Sequence, residues 1–96
     1  MSNRCAIVTV NTTTFPAAGS PQVTIPDGDP CSSISIVALD SSAANYIEWS
    51  YDGTNIEDRL VPTIQPGMVY EPLPRQLKRT IYLKGPNATT AKVRWE

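Results

Sequence analysis

An all-β fold, a small antiparallel β-sandwich or jelly-roll-like barrel of about seven or eight short strands, is what this chain predicts. Three observations carry the prediction. Residues 46–51 alternate strictly: Ile47, Trp49 and Tyr51 against Tyr46, Glu48 and Ser50, the period of a half-buried strand. Nine prolines and five glycines punctuate the 96 residues, so apolar runs stay short. No stretch of ten or more residues shows the spacing i, i+3, i+4, i+7 of an amphipathic helix.

Residues 5–10 predict the first strand. Ala6, Val8 and Val10 share one face, and Cys5, Ile7 and Thr9 the other. Asn11 to Thr14 extends it with β-favouring polar residues, and Phe15-Pro16 ends it because proline removes a ladder donor. Residues 17–21 form a loop of small residues, 22–25 a short strand, and 26–30 a turn with proline at both ends. Asp27 and Asp29 around Gly28 suggest a calcium loop, but the remaining oxygen ligands and the closing bidentate glutamate are missing, so no metal is assigned. Residues 33–40 predict a strand that begins with Ile34 and Ile36 on one face. It then shifts to Val37 and Leu39, which implies burial on both faces or a bulge near Ile36.

Residues 45–60 predict the central hairpin, and Asp52-Gly53 supplies the turn signal. A two-residue loop sets Glu48 opposite Glu57. A four-residue loop over 52–55 sets Glu48 opposite Arg59 and Ile47 opposite Leu60. Opposed like charges destabilise a strand pair, so the four-residue loop is preferred, although it leaves Asp58 across from Trp49. Residues 63–67 read as a turn, 68–71 as a strand, and 74–78 as one helical turn beginning at a proline. Residues 80–84 predict a strand with Ile81 and Leu83 inward and Tyr82 outward. Residues 85–87 turn, and 91–95 close the fold with Ala91, Val93 and Trp95 on one face and Lys92 and Arg94 on the other. The whole chain is expected to be one domain, with 1–4 a flexible lead-in.

Composition narrows the chemistry. Histidine is absent, which removes Ser-His-Asp and Cys-His triads and imidazole metal sites. The formal net charge is −1, and the cluster Arg75, Lys78 and Arg79 has no interleaved aromatics, so no nucleic-acid partner is expected. No apolar run approaches the roughly 20 residues of a membrane-spanning helix, and no export signal is read at the start. Without export, Cys5 and Cys31 are read as reduced and buried, with a disulfide as the alternative. The sequons at Asn11 and Asn87 are discounted on the same ground. Glu48, Glu57 and Asp58 could be arranged as paired carboxylates for glycoside hydrolysis, but charges on a hairpin are expected to face solvent. No catalytic motif, cofactor or metal site is expected. Tyr46, Tyr70 and Tyr82 are the expected partner-binding residues, because outward tyrosines supply contact area.

The second part of the chain resembles small structural proteins of tailed bacteriophages. The resemblance runs through Tyr46-Ile47-Glu48-Trp49-Ser50-Tyr51-Asp52-Gly53, the turn Pro66-Gly67, the strand Thr80-Ile81-Tyr82-Leu83-Lys84 and the closing strand Ala91-Lys92-Val93-Arg94-Trp95. It covers residues 33–96 and rests on hydrophobic pattern and turn residues; the first third carries none of it. It implies a non-enzymatic β-sandwich virion protein, a head decoration or cement protein that stabilises the shell. It further implies a major capsid protein or other virion protein as partner, and a place in the virion after assembly in the host cytoplasm. The small core of a single 96-residue domain, the near-zero net charge and the outward Tyr46, Tyr70 and Tyr82 lead to the expectation of a homo-oligomer (dimer or trimer) on that shell. The alternative is a tail- or fibre-associated carbohydrate-binding or host-adhesion module. A small enzyme stands third.

Overall fold

The computed structural model describes residues 4–29, 33–62 and 79–96, together with the backbone of 67–70. Eight strands follow one another: β1 (Cys5–Val10), β2 (Val23–Thr24), β3 (Ile34–Leu39), β4 (Ile47–Ser50), β5 (Asp58–Leu60), β6 (Gly67–Tyr70), β7 (Thr80–Lys84) and β8 (Thr89–Trp95). No helix occurs among the described residues. The strands build two four-stranded antiparallel sheets, ordered β1-β8-β3-β6 and β2-β7-β4-β5.

That order has a simple origin. β1 pairs with β8, β2 with β7, β3 with β6 and β4 with β5. Each strand from one end of the chain thus meets its counterpart from the other end, as in one long hairpin folded at residues 51–57. Rolling that hairpin adds the pairs β3·β8 and β4·β7 and divides it into two sheets. This is the jelly-roll arrangement, the second form of the predicted fold class.

The 45–60 hairpin is the innermost of these pairings, and its register follows the charge argument. Ile47 opposes Leu60, Glu48 opposes Arg59, and Trp49 opposes Asp58. Asp52 shapes the loop by accepting backbone N–H groups from Thr54 and Asn55 at 2.8 and 2.9 Å. Ser50, expected on the outer face, is buried. Its hydroxyl accepts the N–H groups of Asp52 and Gly53 at 3.2 and 3.0 Å and donates to Asp52 Oδ1 at 2.8 Å, so the burial leaves no polar group unpaired.

Val10, Val23, Ile25, Ile34, Ile36, Ile47, Trp49, Leu60, Ile81, Leu83, Val93 and Trp95 form the core between the sheets. Trp49 is fully buried and meets Tyr51 edge-on, ring centroids 4.9 Å apart.

Several expectations are corrected. The first strand stops at Val10, and the Thr12 hydroxyl donates to the Thr14 carbonyl in a local turn. Hydroxyl-to-backbone bonds of this kind compete with the ladder, which accounts for the early stop. β3 neither bulges nor is buried on both faces. Its alternation continues unbroken, with Ile34, Ile36 and Ala38 inside and Leu39 exposed. Cys5 is partly exposed rather than buried, because β1 lies at a sheet edge. Cys31, residues 63–66 of the expected 63–67 turn and the helical turn at 74–78 lie outside the described residues, and Gly67, read as the end of that turn, opens β6.

Two loops are held by long-range bonds. The Gln22 side chain acts as an additional strand rung, accepting Leu83 N–H at 2.8 Å and donating to the Leu83 carbonyl at 2.5 Å. The Arg79 guanidinium donates to the carbonyls of Pro26 and Asp29 at 2.7 and 2.9 Å and so clamps the turn between them.

Candidate functional site

Two surfaces could meet a partner, one on the outer face of each sheet. On the second sheet, cross-strand register places Lys84, Glu48 and Arg59 in one row. The Glu48 carboxylate lies between the two cations, 3.0 Å from Arg59 Nη2 and 3.9 Å from Lys84 Nζ. Each cation also covers an aromatic ring. The Arg59 guanidinium stands 4.1 Å from the Tyr46 centroid, and Lys84 Nζ stands 4.7 Å from that of Phe15. Beside this row lies a shallow cleft of about 180 Å³, lined by Thr13, Tyr46, Glu48, Lys84, Gly85 and Pro86. Gly85 permits the close approach of the two chain segments, since a Cβ there would stand 2.6 Å from the Tyr46 carbonyl oxygen.

The chemistry of this cluster is largely internal. The rings that could stack on a sugar already hold cations, and the carboxylate is already paired. Glu48 does not converge with Asp58, because Asp58 pairs with the inward-facing Trp49 while Glu48 occupies the neighbouring position of opposite orientation.

The expected partner-binding tyrosines separate. Tyr46 is half-buried and reaches the surface beneath Arg59. Tyr70 lies on β6 opposite Ile34, and its side chain lies outside the described residues. Tyr82 takes the outward face of β7 but is not open to solvent; it is only 4% exposed. Its hydroxyl accepts the Gly19 N–H at 2.9 Å, and its ring lies beneath Gly53, so the 17–19 loop and the 52–55 turn cover it from both sides. Strand alternation gives the correct face for Tyr82, but these two non-local segments cover that face.

The other surface, the outer face of the first sheet, carries neither Tyr46 nor Tyr82. Register sets Ile7, Lys92 and Val37 in one row across β1, β8 and β3, and Thr9, Thr90 and Leu39 in the next. Ile7 is 64% exposed and Leu39 47%, and Val37 is half-buried between them. Lys92 and Arg94 project among these residues, and Glu96 follows at the end of the strand. The sequence signal was the apparent phase shift at Val37 and Leu39. It records two apolar residues on the outer face, not a bulge.

Among the described residues no group of three or more cysteine or acidic side chains could hold a metal ion. Asp29, half of the considered calcium loop, instead accepts the Trp95 indole N–H at 2.8 Å. The sequence matches no family model and no curated protein, and no match to this chain was found among solved structures.

Proposed function

We propose that this chain is a non-enzymatic structural protein of a tailed-phage virion that docks on the head shell through the outer face of its first sheet. The carrying observation is the exposure of Ile7 and Leu39 on one sheet face, with Val37 beside Leu39 on β3 and Lys92 between Val37 and Ile7. Exposed apolar side chains interleaved with basic ones can serve as a protein-binding surface. The resemblance of residues 33–96 to phage structural proteins supports the same reading, and jelly rolls serve in viral shells as well as in lectins. Fold alone does not choose between those two uses. The cations over Tyr46 and Phe15 disfavour the carbohydrate-binding alternative, since a sugar would first have to displace them.

In this role the protein bridges coat subunits and adds contact area, as a closed homo-oligomer seated on a symmetry axis of the shell. Purified particles should contain it in stoichiometric amounts by mass spectrometry. Particles lacking it should lose resistance to heat and osmotic shock and regain it on addition of the protein. Leu39→Lys should fold normally yet fail to restore resistance. Equal robustness with and without the protein, or its confinement to fibre tips, would defeat the reading.

A further inference from the structure

We propose that two copies of this chain pair through the free edge of β1, antiparallel and centred on Ile7. The two first sheets then join into one continuous sheet across a two-fold axis. This proposal goes beyond the docking reading and does not depend on the identity of the shell.

The ladder with β8 fixes the direction of the backbone groups along β1. The Trp95 N–H donates to the Arg4 carbonyl at 3.1 Å, so at Arg4 the backbone polar groups point toward β8. In an antiparallel ladder the N–H and C=O of one residue point to the same side, and the side alternates along the strand. Ala6, Val8 and Val10 therefore bond to β8, and Cys5, Ile7 and Thr9 direct their N–H and C=O groups to the other edge. β1 is the terminal strand of its sheet, and no described strand pairs with that edge.

Within the strand itself, the sequence devices that normally prevent edge pairing are missing. Residues 5–10 contain no lysine, proline or other charged residue, and the register with β8 runs unbroken over all six positions, without a bulge. Charge is kept to Arg4, just outside the strand.

The geometry is also self-complementary. With the two-fold axis at Ile7, Ile7 faces its own copy, and Cys5 of each chain faces Thr9 of the other. The three outward residues of each strand then satisfy one another completely in a hydrogen-bonded register. Ala6 and Val8 become cross-strand neighbours on the inner face. Both are only partly buried in the single chain, although they pack against its core, so pairing completes their cover. The exposed Ile7 gains an apolar partner on the outer face. A second copy is thus the occupant that matches every outward group of this edge, with no like charges opposed. The two docking faces become one surface.

Pairing by a single strand buries less than a standard interface, so dissociation on the order of 1–100 µM is expected. Sedimentation of the full chain over a concentration series tests this, with amide exchange followed in the same samples. The expected result is a reversible dimer in which the amides of Cys5, Ile7 and Thr9 gain protection as concentration rises. Ile7→Pro should remain folded, because the lost N–H points to the free edge, and should weaken pairing about a hundredfold or more. Ile7→Lys, which places two lysines together at the axis, should do the same and serves if the proline variant misfolds. Leu39→Lys should leave the dimer intact, which separates this test from that of docking. A monomer at about 1 mM overturns the proposal. So does a dimer that survives Ile7→Lys, or exchange at Cys5, Ile7 and Thr9 that is independent of concentration.

Discussion

The indole N–H of Trp95 donates to the carboxylate of Asp29 across 2.8 Å, tying the last strand to a turn 66 residues earlier in the chain. Trp95 is only 4% exposed, so without Asp29 its donor has little access to water. Asp29→Ala should destabilise the fold by about 1–3 kcal/mol, the cost of a buried donor left unpaired. Asp29→Asn keeps an acceptor and should recover most of the loss. Urea denaturation of the three proteins provides the comparison. Equal stability of Asp29→Ala and the parent would mean that water reaches the indole.

Trp49 lies at the centre of the core, fully buried, and Tyr46 lies half-buried at the surface of the same sheet. Trp49→Ala should cost about 3–5 kcal/mol through lost burial and the cavity left behind. That is a large part of the roughly 5–15 kcal/mol that holds a small domain together. Tyr46→Ala should cost much less, since it loses only a partly solvated ring and the Arg59 contact. Thermal unfolding should therefore rank the two variants far apart.

Gly53 has φ of 79°, and a Cβ added there would stand 3.1 Å from Cδ2 of Tyr82. Gly53→Ala is thus penalised by backbone conformation and by the ring beneath it, and a loss of about 1–3 kcal/mol is expected. Gly28 has no neighbour within 4 Å of such a Cβ, and Gly28→Ala should be close to neutral. If both substitutions are neutral in a melting experiment, the 52–55 turn does not hold Tyr82 in place.

Two aspartates link stability to acid. Asp52 is held far below the ordinary carboxylate range, first by the Asn55 backbone N–H, then by the Thr54 N–H and the Ser50 hydroxyl. Asp40 is held low by the Asn45 side-chain amide and then by the N–H groups of Ser42 and Ser41. Because folding lowers both values, the unfolded chain binds more protons in the acid range. The stabilisation is fully present above the unfolded value of about 3.9 and is lost as pH falls through the depressed folded values. Melting temperature should therefore decline below about pH 4. The decline should be shallower in Asp52→Asn, which has no carboxylate to protonate. Identical acid profiles for parent and variant would rule out the Asp52 contribution.

The β class, the positions of most strands and the register of the central hairpin were legible in the chain itself. Each depends on local physics: alternation over a few residues, proline and glycine at turns, and the cost of setting Glu48 against Glu57 instead of Arg59. The tertiary structure decided what those local patterns leave open. Alternation at 80–84 separates Tyr82 from Ile81 and Leu83, but burial of Tyr82 required segments 17–19 and 52–55 to arrive from elsewhere. Val37 and Leu39 read as a phase shift because an apolar residue carries the same mark whether it faces a core or a partner. Only the pairing of β3 with β8 placed them outside. The rolled strand order likewise comes from contacts between opposite ends of the chain, where no short-range signal operates. That order leaves β1 at an edge with Cys5, Ile7 and Thr9 directed outward.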